Sequence, residues 1–307
     1  MRCLLLGARG FLGRHVRDAL ATDPRCTLIT ASRQDDDTDL RLDLAKVGPA
    51  EIESALRAAA VDVVINCAGT TSGTAQELVA GNVVTVANLA AAVDRLDPDG
   101  FGRTIRIVHL GSAAEYGPVP AGIPVLEGIP ANPTSPYGIS KLAGSSLLLA
   151  AARQAVVLRV FNPIGPGTPE RLLPGRLAAQ LRRAIETGEP ARVGPLDAYR
   201  DLIDARDVAA AVVAAATATG PLPPVLNVAS GRATPLRELA ALLAAHAGTA
   251  PPEESAAGSD RSAGVSWQQA DLTAITTALD WRPRIPLVDS LRDMWRASTV
   301  SNRMAVP

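Results

Sequence analysis

Through the first two thirds of the chain, short apolar runs alternate with longer stretches of helical period. Cys3–Leu6, Thr27–Ala31, Val61–Asn66, Ile105–Leu110 and Val156–Phe161 are apolar and short, which predicts strands covered on both faces. Between them, Phe11–Ala21, Glu51–Ala60, Val83–Leu96 and Tyr137–Arg153 space their apolar residues for helices. Strand, helix, strand, repeated, gives parallel strands joined by right-handed crossovers: an α/β protein with a doubly wound parallel sheet. Ligands of such sheets bind outside the strand C-termini. The loops carrying Gly69–Gly73 and Gly111–Asn132 are therefore the candidate binding edge.

Beyond about Pro163 the rhythm changes. Proline and glycine become frequent, Leu177–Thr187, Ala205–Ala216 and Pro235–Ala247 have helical period, and Gly248–Ser262 is a polar loop. This pattern divides the chain into a first domain over 1–163, to which later segments can return, and a smaller C-terminal lobe over 164–307 that closes over a substrate. There is no internal repeat.

Composition narrows the partners. A formal net charge of −1 gives no electrostatic case for nucleic acid or an anionic membrane, and 3% aromatic residues make no stacking platform for bases. No uninterrupted apolar stretch reaches the roughly 18 residues of a membrane span. Cys3–Leu6 is too short for the apolar region of a signal peptide, so a cytoplasmic location is expected. Cys3, Cys26 and Cys67 lack metal-ligand or pairing spacing and read as reduced thiols. No metal is expected. His15, His109 and His246 have no metal-spaced partner and need no functional role.

Gly7-Ala8-Arg9-Gly10-Phe11-Leu12-Gly13 joins the first strand to the first helix. Gly7 permits the tight turn, Gly10 lets backbone approach a pyrophosphate, and Gly13 allows close helix–strand packing. The helix N-terminus then offers free N–H groups to the anion, as dinucleotide binding requires. At the end of the second strand, an acidic residue would bind the 2′-hydroxyl of NAD and an arginine the 2′-phosphate of NADP. Ser32-Arg33 stands there, and Arg9 can reach the same phosphate, which favours NADP(H). Asp35–Asp37 follow closely and keep NAD(H) open.

Ser135-Pro136-Tyr137-Gly138-Ile139-Ser140-Lys141 carries the reactive chemistry. Ser135 suits an N-cap and Pro136 a first helical position, which puts Tyr137 in the first turn and Lys141 at i+4 on its face. The ammonium favours a phenolate, drawing the tyrosine pKa from about 10 toward neutrality. Such a phenol can protonate a developing alkoxide or deprotonate an alcohol.

These motifs resemble the short-chain dehydrogenase/reductase superfamily, in its extended branch of nucleotide-sugar epimerases, dehydratases and reductases, with a Rossmann fold. The resemblance runs through Leu279-Asp280-Trp281-Arg282-Pro283. It implies that Asp43-Leu44 contacts adenine, that Cys67-Ala68-Gly69 after Asn66 lines the cofactor, and that Asn82 matches the family asparagine. It also implies a catalytic Ser112, in His109-Leu110-Gly111-Ser112-Ala113-Ala114-Glu115-Tyr116-Gly117, beside Tyr137 and Lys141.

On the substrate side, the segment from Arg159 and Phe161 to Gly167 resembles the family's Arg-x-Phe-Asn-x-x-Gly-Pro-Gly, placing Asn162 on the sugar or its phosphates. Arg200-Asp201 with Arg206-Asp207-Val208 resembles a stretch in which Arg200 meets a diphosphate, and Arg261 matches a second phosphate-binding arginine. A homodimer through Val83–Leu96 and Tyr137–Arg153 is implied as well.

Family dehydratases carry an acid and a base directly after the serine or threonine. Ala113 and Ala114 occupy those places here, and neither transfers a proton. Glu115 comes one place late and, at period two, should face away. The cysteine of members that epimerise at C3 and C5 is absent from position 114. Hydride transfer at C4 remains, closest to NADPH-dependent nucleotide-diphospho-4-keto-6-deoxyhexose reductases. A nucleotide-sugar 4-epimerase holding NAD tightly, a reductase of a non-sugar ketone, and a non-catalytic NADP(H)-sensing protein stay open.

Overall fold

The computed structural model describes residues 1–33, 38–96, 104–255 and 265–303. Asp35–Asp37 and Arg261 lie outside them, as does the end of the expected polar loop from 256 on.

The chain opens with β1 (Arg2–Leu6), α1 (Phe11–Ala21), β2 (Thr27–Ser32), β3 (Leu40–Arg41), α2 (Pro49–Ala58) and β4 (Val63–Asn66). It continues through α3 (Ala75–Val79), a π-helical turn (Ala80–Val84), α4 (Thr85–Leu96), β5 (Arg106–Ser112), a 3₁₀ turn (Ala113–Glu115), α5 (Pro136–Ala151) and β6 (Ala155–Val160). The remainder comprises β7 (Asn162–Ile164), α6 (Leu173–Thr187), β8 (Arg192–Val193), β9 (Tyr199–Asp204), α7 (Ala205–Thr217) and β10 (Val225–Val228). It ends with β11 (Ala233–Pro235), α8 (Leu236–Ala247), β12 (Glu253–Glu254), α9 (Thr273–Leu279) and α10 (Leu287–Arg303).

Seven strands form one sheet in the order β10-β6-β5-β4-β1-β2-β3, and every pair is parallel. From β1 the chain winds one way through β2 and β3, then the other way through β4, β5 and β6. The order therefore reverses between β1 and β4, the place at the C-terminal edge where open sheets of this kind take their ligands. Period two sorts the strand residues to two cores. Cys3, Leu5, Val63, Ile65, Val108 and Leu110 pack beneath α1 and α7, while Leu4, Leu6, Val64 and Ile107 pack beneath α2, α4 and α5.

A third core, built from Leu177, Leu181, Leu239, Leu243, Leu291 and Met294, joins α6, α8 and α10. It accompanies the small sheet β11-β9-β7 and the two-stranded pair β12-β8. The start of the expected polar loop thus carries a short strand, Glu253–Glu254, paired in parallel with Arg192–Val193.

The helix expected over Val83–Leu96 begins earlier. Thr74 caps it by accepting from Glu77 N–H at 3.2 Å, and Glu77 accepts from Thr74 N–H at 2.7 Å. With the π turn, Ala75–Leu96 makes one 22-residue helix whose length and apolarity match a membrane span. Its buried face packs on α2 and α5.

Candidate active site

The glycine turn sits where the strand order reverses. Gly7 has φ +76°, and a side chain there would come within 2.7 Å of Ala68 N; one on Gly13 would overlap the carbonyl of Gly7. The turn is therefore pressed against the start of the Ala68-Gly69 segment after β4. Phe11 is buried, Leu12 half-buried, and Gly10 exposed at the N-cap of α1. No side chain caps that N-terminus and no acidic residue occupies its first turn, an arrangement that fits an anionic pyrophosphate. Arg9 and Arg33 are exposed, beyond the ends of the adjacent strands β1 and β2.

Other expected cofactor residues surround this turn with different degrees of availability. Ser32 is half-buried, its hydroxyl 3.4 Å from that of Thr38. Asp43 accepts from Ala45 N–H at 3.2 Å, and the Leu44 side chain is buried in the core. Cys67 and Ala68 are half-buried and Gly69 exposed; burial pushes the Cys67 thiol up to about 12. Asn82 is fully engaged within the protein: it accepts from Thr70 N–H (2.8 Å) and donates to Thr70 O (2.7 Å) and Ser140 Oγ (3.0 Å). Its amide pins the loop after β4 to α5, using the extra width of the π turn.

Ser112 ends β5 and caps the following turn. Its Oγ accepts from Ala114 N–H at 3.2 Å, which leaves the hydroxyl proton to point elsewhere. Glu115 accepts from Ser112 N–H at 2.9 Å and from Ser145 Oγ at 3.1 Å. It also pairs with Arg159 Nε at 2.9 Å, with the guanidinium carbon 4.4 Å from the centre of the Tyr116 ring. Glu115 is fully buried. The period-two argument for Glu115 fails here, because residues 113–115 turn as a 3₁₀ helix instead of extending as strand. The carboxylate nevertheless faces inward, engaged by three donors. Tyr116, buried, donates to Asn227 Oδ1 at 2.6 Å, and burial pushes its phenol up to about 12.

Tyr137 lies half-buried in the first turn of α5, which Ser135 caps by accepting from Gly138 N–H at 3.1 Å. A Cβ on Gly138 would overlap Ala114 O, so this turn rests directly on the Ser112 turn. Lys141 is buried and donates to Leu110 O at 2.6 Å; burial holds its pKa below the ordinary lysine value. Packing therefore gathers Ser112, Tyr137 and Lys141 at the C-terminal edge of β5, two strands from β1.

The profile of the NAD dependent epimerase/dehydratase family matches residues 3–229. The chain belongs to that family. It is 34% identical to dTDP-6-deoxy-L-talose 4-dehydrogenase (NAD(P)(+)) of Kitasatospora kifunensis, over 98% of this chain and 96% of that one. Its fold matches MoeE5 in complex with UDP-glucose and NAD (TM-score 0.83, 25% identity, 98% of this chain and 100% of that one). It also matches RMD from Pseudomonas aeruginosa complexed with NADPH (TM-score 0.80, 29% identity, 98% of each chain). As an extended short-chain dehydrogenase/reductase, the protein is an NAD(P)-dependent enzyme.

Among the residues expected to meet a substrate, Arg200 is buried and donates to the carbonyls of Tyr199 and Val265, each at 2.8 Å. Among the described residues it meets no carboxylate, and burial lowers its pKa. A buried guanidinium without a counter-charge suits an anionic ligand. Asn162 instead uses its amide nitrogen within the protein, donating to Asp201 O (3.0 Å) and Gln268 Oε1 (3.2 Å). Asp201 accepts from Ser230 N–H and Oγ, Gly231 N–H and Ala270 N–H, which ties the loops beside Arg200 together.

Sequence reasoning named Glu115, Arg159 and His109 without finding their partners. The Glu115–Arg159 pair needs tertiary structure to be seen. His109 was legible in part: period two places it with Ile107 on the face that α5 covers.

Proposed function

We propose that the protein reduces the C4 ketone of a nucleotide-diphosphate sugar, using NADPH. The observation that carries this reading is an assembled Ser112, Tyr137 and Lys141 beside two alanines, Ala113 and Ala114, where a dehydratase needs an acid and a base. The name of the 34% identical relative, a nucleotide-sugar 4-dehydrogenase, supports chemistry at the same carbon.

Bound along the Gly7–Gly13 turn, the dinucleotide would supply the hydride. Ser112 donates a hydrogen bond to the ketone oxygen, since its own oxygen already accepts from Ala114. Tyr137 gives its proton to that oxygen, and the Lys141 ammonium stabilises the phenolate left behind. Arg200, with Arg261, holds the diphosphate. Residues 1–163 form the dinucleotide-binding part, joined by α7 and β10, and 164–307 mainly the substrate lobe.

Identifying the cofactor released from purified protein tests this reading. Exchangeable NADP(H) is expected; NAD that survives purification in stoichiometric amount would instead indicate a 4-epimerase. Arg33→Ser should raise the KM for NADPH about tenfold or more while leaving that for NADH unchanged, since a charge-assisted hydrogen bond contributes about 1.5–3 kcal/mol.

A homodimer is part of the same proposal. Val79 and Val84 on the long helix and Ile139 and Leu147 on α5 are exposed apolar residues on helices that pack together. Ile139→Asp should convert the protein to a monomer in analytical ultracentrifugation, with unchanged far-ultraviolet circular dichroism. A variant that sediments like the parent protein would exclude this face.

A further inference from the structure

His109, in the middle of β5, and Asn66, at the end of β4, stand side by side, both almost wholly buried and paired in the strand register. Asn66 Oδ1 accepts from Ala68 N–H at 3.0 Å. A backbone N–H can only donate, so this bond fixes which end of the amide is oxygen. The amide nitrogen then points to His109 Nδ1 at 3.2 Å, and it too can only donate. His109 Nδ1 must therefore be bare. Burial, reinforced by nearby Lys141, pushes the imidazolium pKa well below 6.5, so the ring is neutral with one proton. That proton belongs on Nε2. Yet Nε2 lies 3.3 Å from Lys141 Nζ, itself a donor when charged.

Two donors thus face each other inside the protein. The other groups around the lysine do not remove the conflict. Tyr137 lies one turn earlier on α5, Cys67 follows β4 with its thiol pushed up to about 12, and Glu115 is engaged by Arg159, Ser145 and Ser112. Burial still holds the lysine below its ordinary value, although Glu115 and Cys67 oppose that shift.

We propose that His109 is a positioning residue for Lys141: held by Asn66 as the Nε2–H tautomer, it denies the lysine an acceptor, so the ammonium directs its hydrogens to Leu110 O and the C-terminal edge of the sheet and is easily deprotonated. This rests on the catalytic reading of Lys141 given above. The polarity of the chain is set at Ala68, within the segment expected to line the cofactor.

The first test needs no variant. Long-range ¹H–¹⁵N spectra of the imidazoles, with only His15, His109 and His246 to assign, should show His109 neutral and protonated on Nε2 near neutral pH. An Nδ1–H tautomer or an imidazolium would overturn the proposal. Asn66→Asp should invert the tautomer, because a carboxylate can accept from both Ala68 N–H and an Nδ1 proton; retention of Nε2–H in that variant would count against it.

The consequence for Lys141 is read from its own titration, followed by NMR of the labelled lysine amine, because loss of the Tyr137 proton would by itself end ketone reduction at high pH. The Lys141 ammonium should lose its proton below the ordinary lysine value. In His109→Phe that titration should move upward by on the order of one pH unit, since the opposing donor is gone. An unmoved titration would contradict the effect on lysine. Full turnover in Lys141→Met would instead remove the catalytic reading, and the tautomer measurement would still decide the geometry.

Discussion

Replacing Tyr137 by phenylalanine is expected to lower kcat for ketone reduction by about 10²–10⁴-fold while leaving the Kd for NADPH within a few-fold of the parent value. The range is that of a positioned general acid. Phenylalanine keeps the ring that packs in the first turn of α5, so the Ser135 cap and the contact of Gly138 with the Ser112 turn survive. Only the phenolic hydroxyl disappears. Single-turnover kinetics at saturating substrate, with fluorescence titration of NADPH, separates the two quantities. Near-parental kcat would remove Tyr137 from the chemistry; a large loss of NADPH binding would assign it to the cofactor site alone.

The second large effect is expected on stability. Glu115→Ala leaves the Arg159 guanidinium buried without its counter-charge and strips acceptors from Ser112 N–H and Ser145 Oγ. Breaking one side of a buried pair costs about 3–5 kcal/mol, a large fraction of a domain's net stability. Urea denaturation should show that loss. The double variant Glu115→Leu with Arg159→Met should recover much of it, because a well-packed apolar pair can replace a buried ion pair. Recovery of stability should come without full recovery of kcat, since Ser112 would still lack its N–H partner. A Glu115→Ala variant as stable as the parent would show that the pair contributes nothing to the fold.

Much of the sheet was legible because its strands are apolar and its helices amphipathic. Phe11–Ala21 begins where Gly10 ends the turn, and expectation and structure agree at both ends. The helix expected from Val83 starts eight residues earlier, at Ala75, because Gly81 and Asn82 interrupt the apolar period while tertiary contacts to Thr70 and Ser140 satisfy the asparagine. The capping box Thr74–Glu77 was the local signal. β9 was not legible as a strand: Arg200, Asp201 and Asp204 suggest a surface segment, yet all three are buried. Asp201 is met by partners distant in sequence, Ser230 and Ala270, whereas Asp204 combines the nearby Arg206 with the distant Ser290, and Arg200 meets only carbonyls. Pattern reading prices a charge as exposed, and only the fold reveals the partners that let it go inside.

The same limit applies at the site. Tyr137 and Lys141 lie one helical turn apart, so their relation is local and readable. Ser112 joins them only because α5 rests on the turn after β5. His109 meets Lys141 across 32 residues, and its relevance depends on the fixed orientation of the Asn66 amide.

The most direct measurement of the central claim is the balance between nicotinamide and sugar. The protein is mixed with NADPH and a nucleotide-diphospho-4-keto-6-deoxyhexose, reduced nicotinamide is followed by absorbance, and the sugar by NMR. One NADPH should be consumed for each C4 carbonyl converted to an alcohol, with no loss of water from the ring. Inversion at C4 without net NADPH consumption, or no change in the ketone across several nucleotide sugars, would contradict the account.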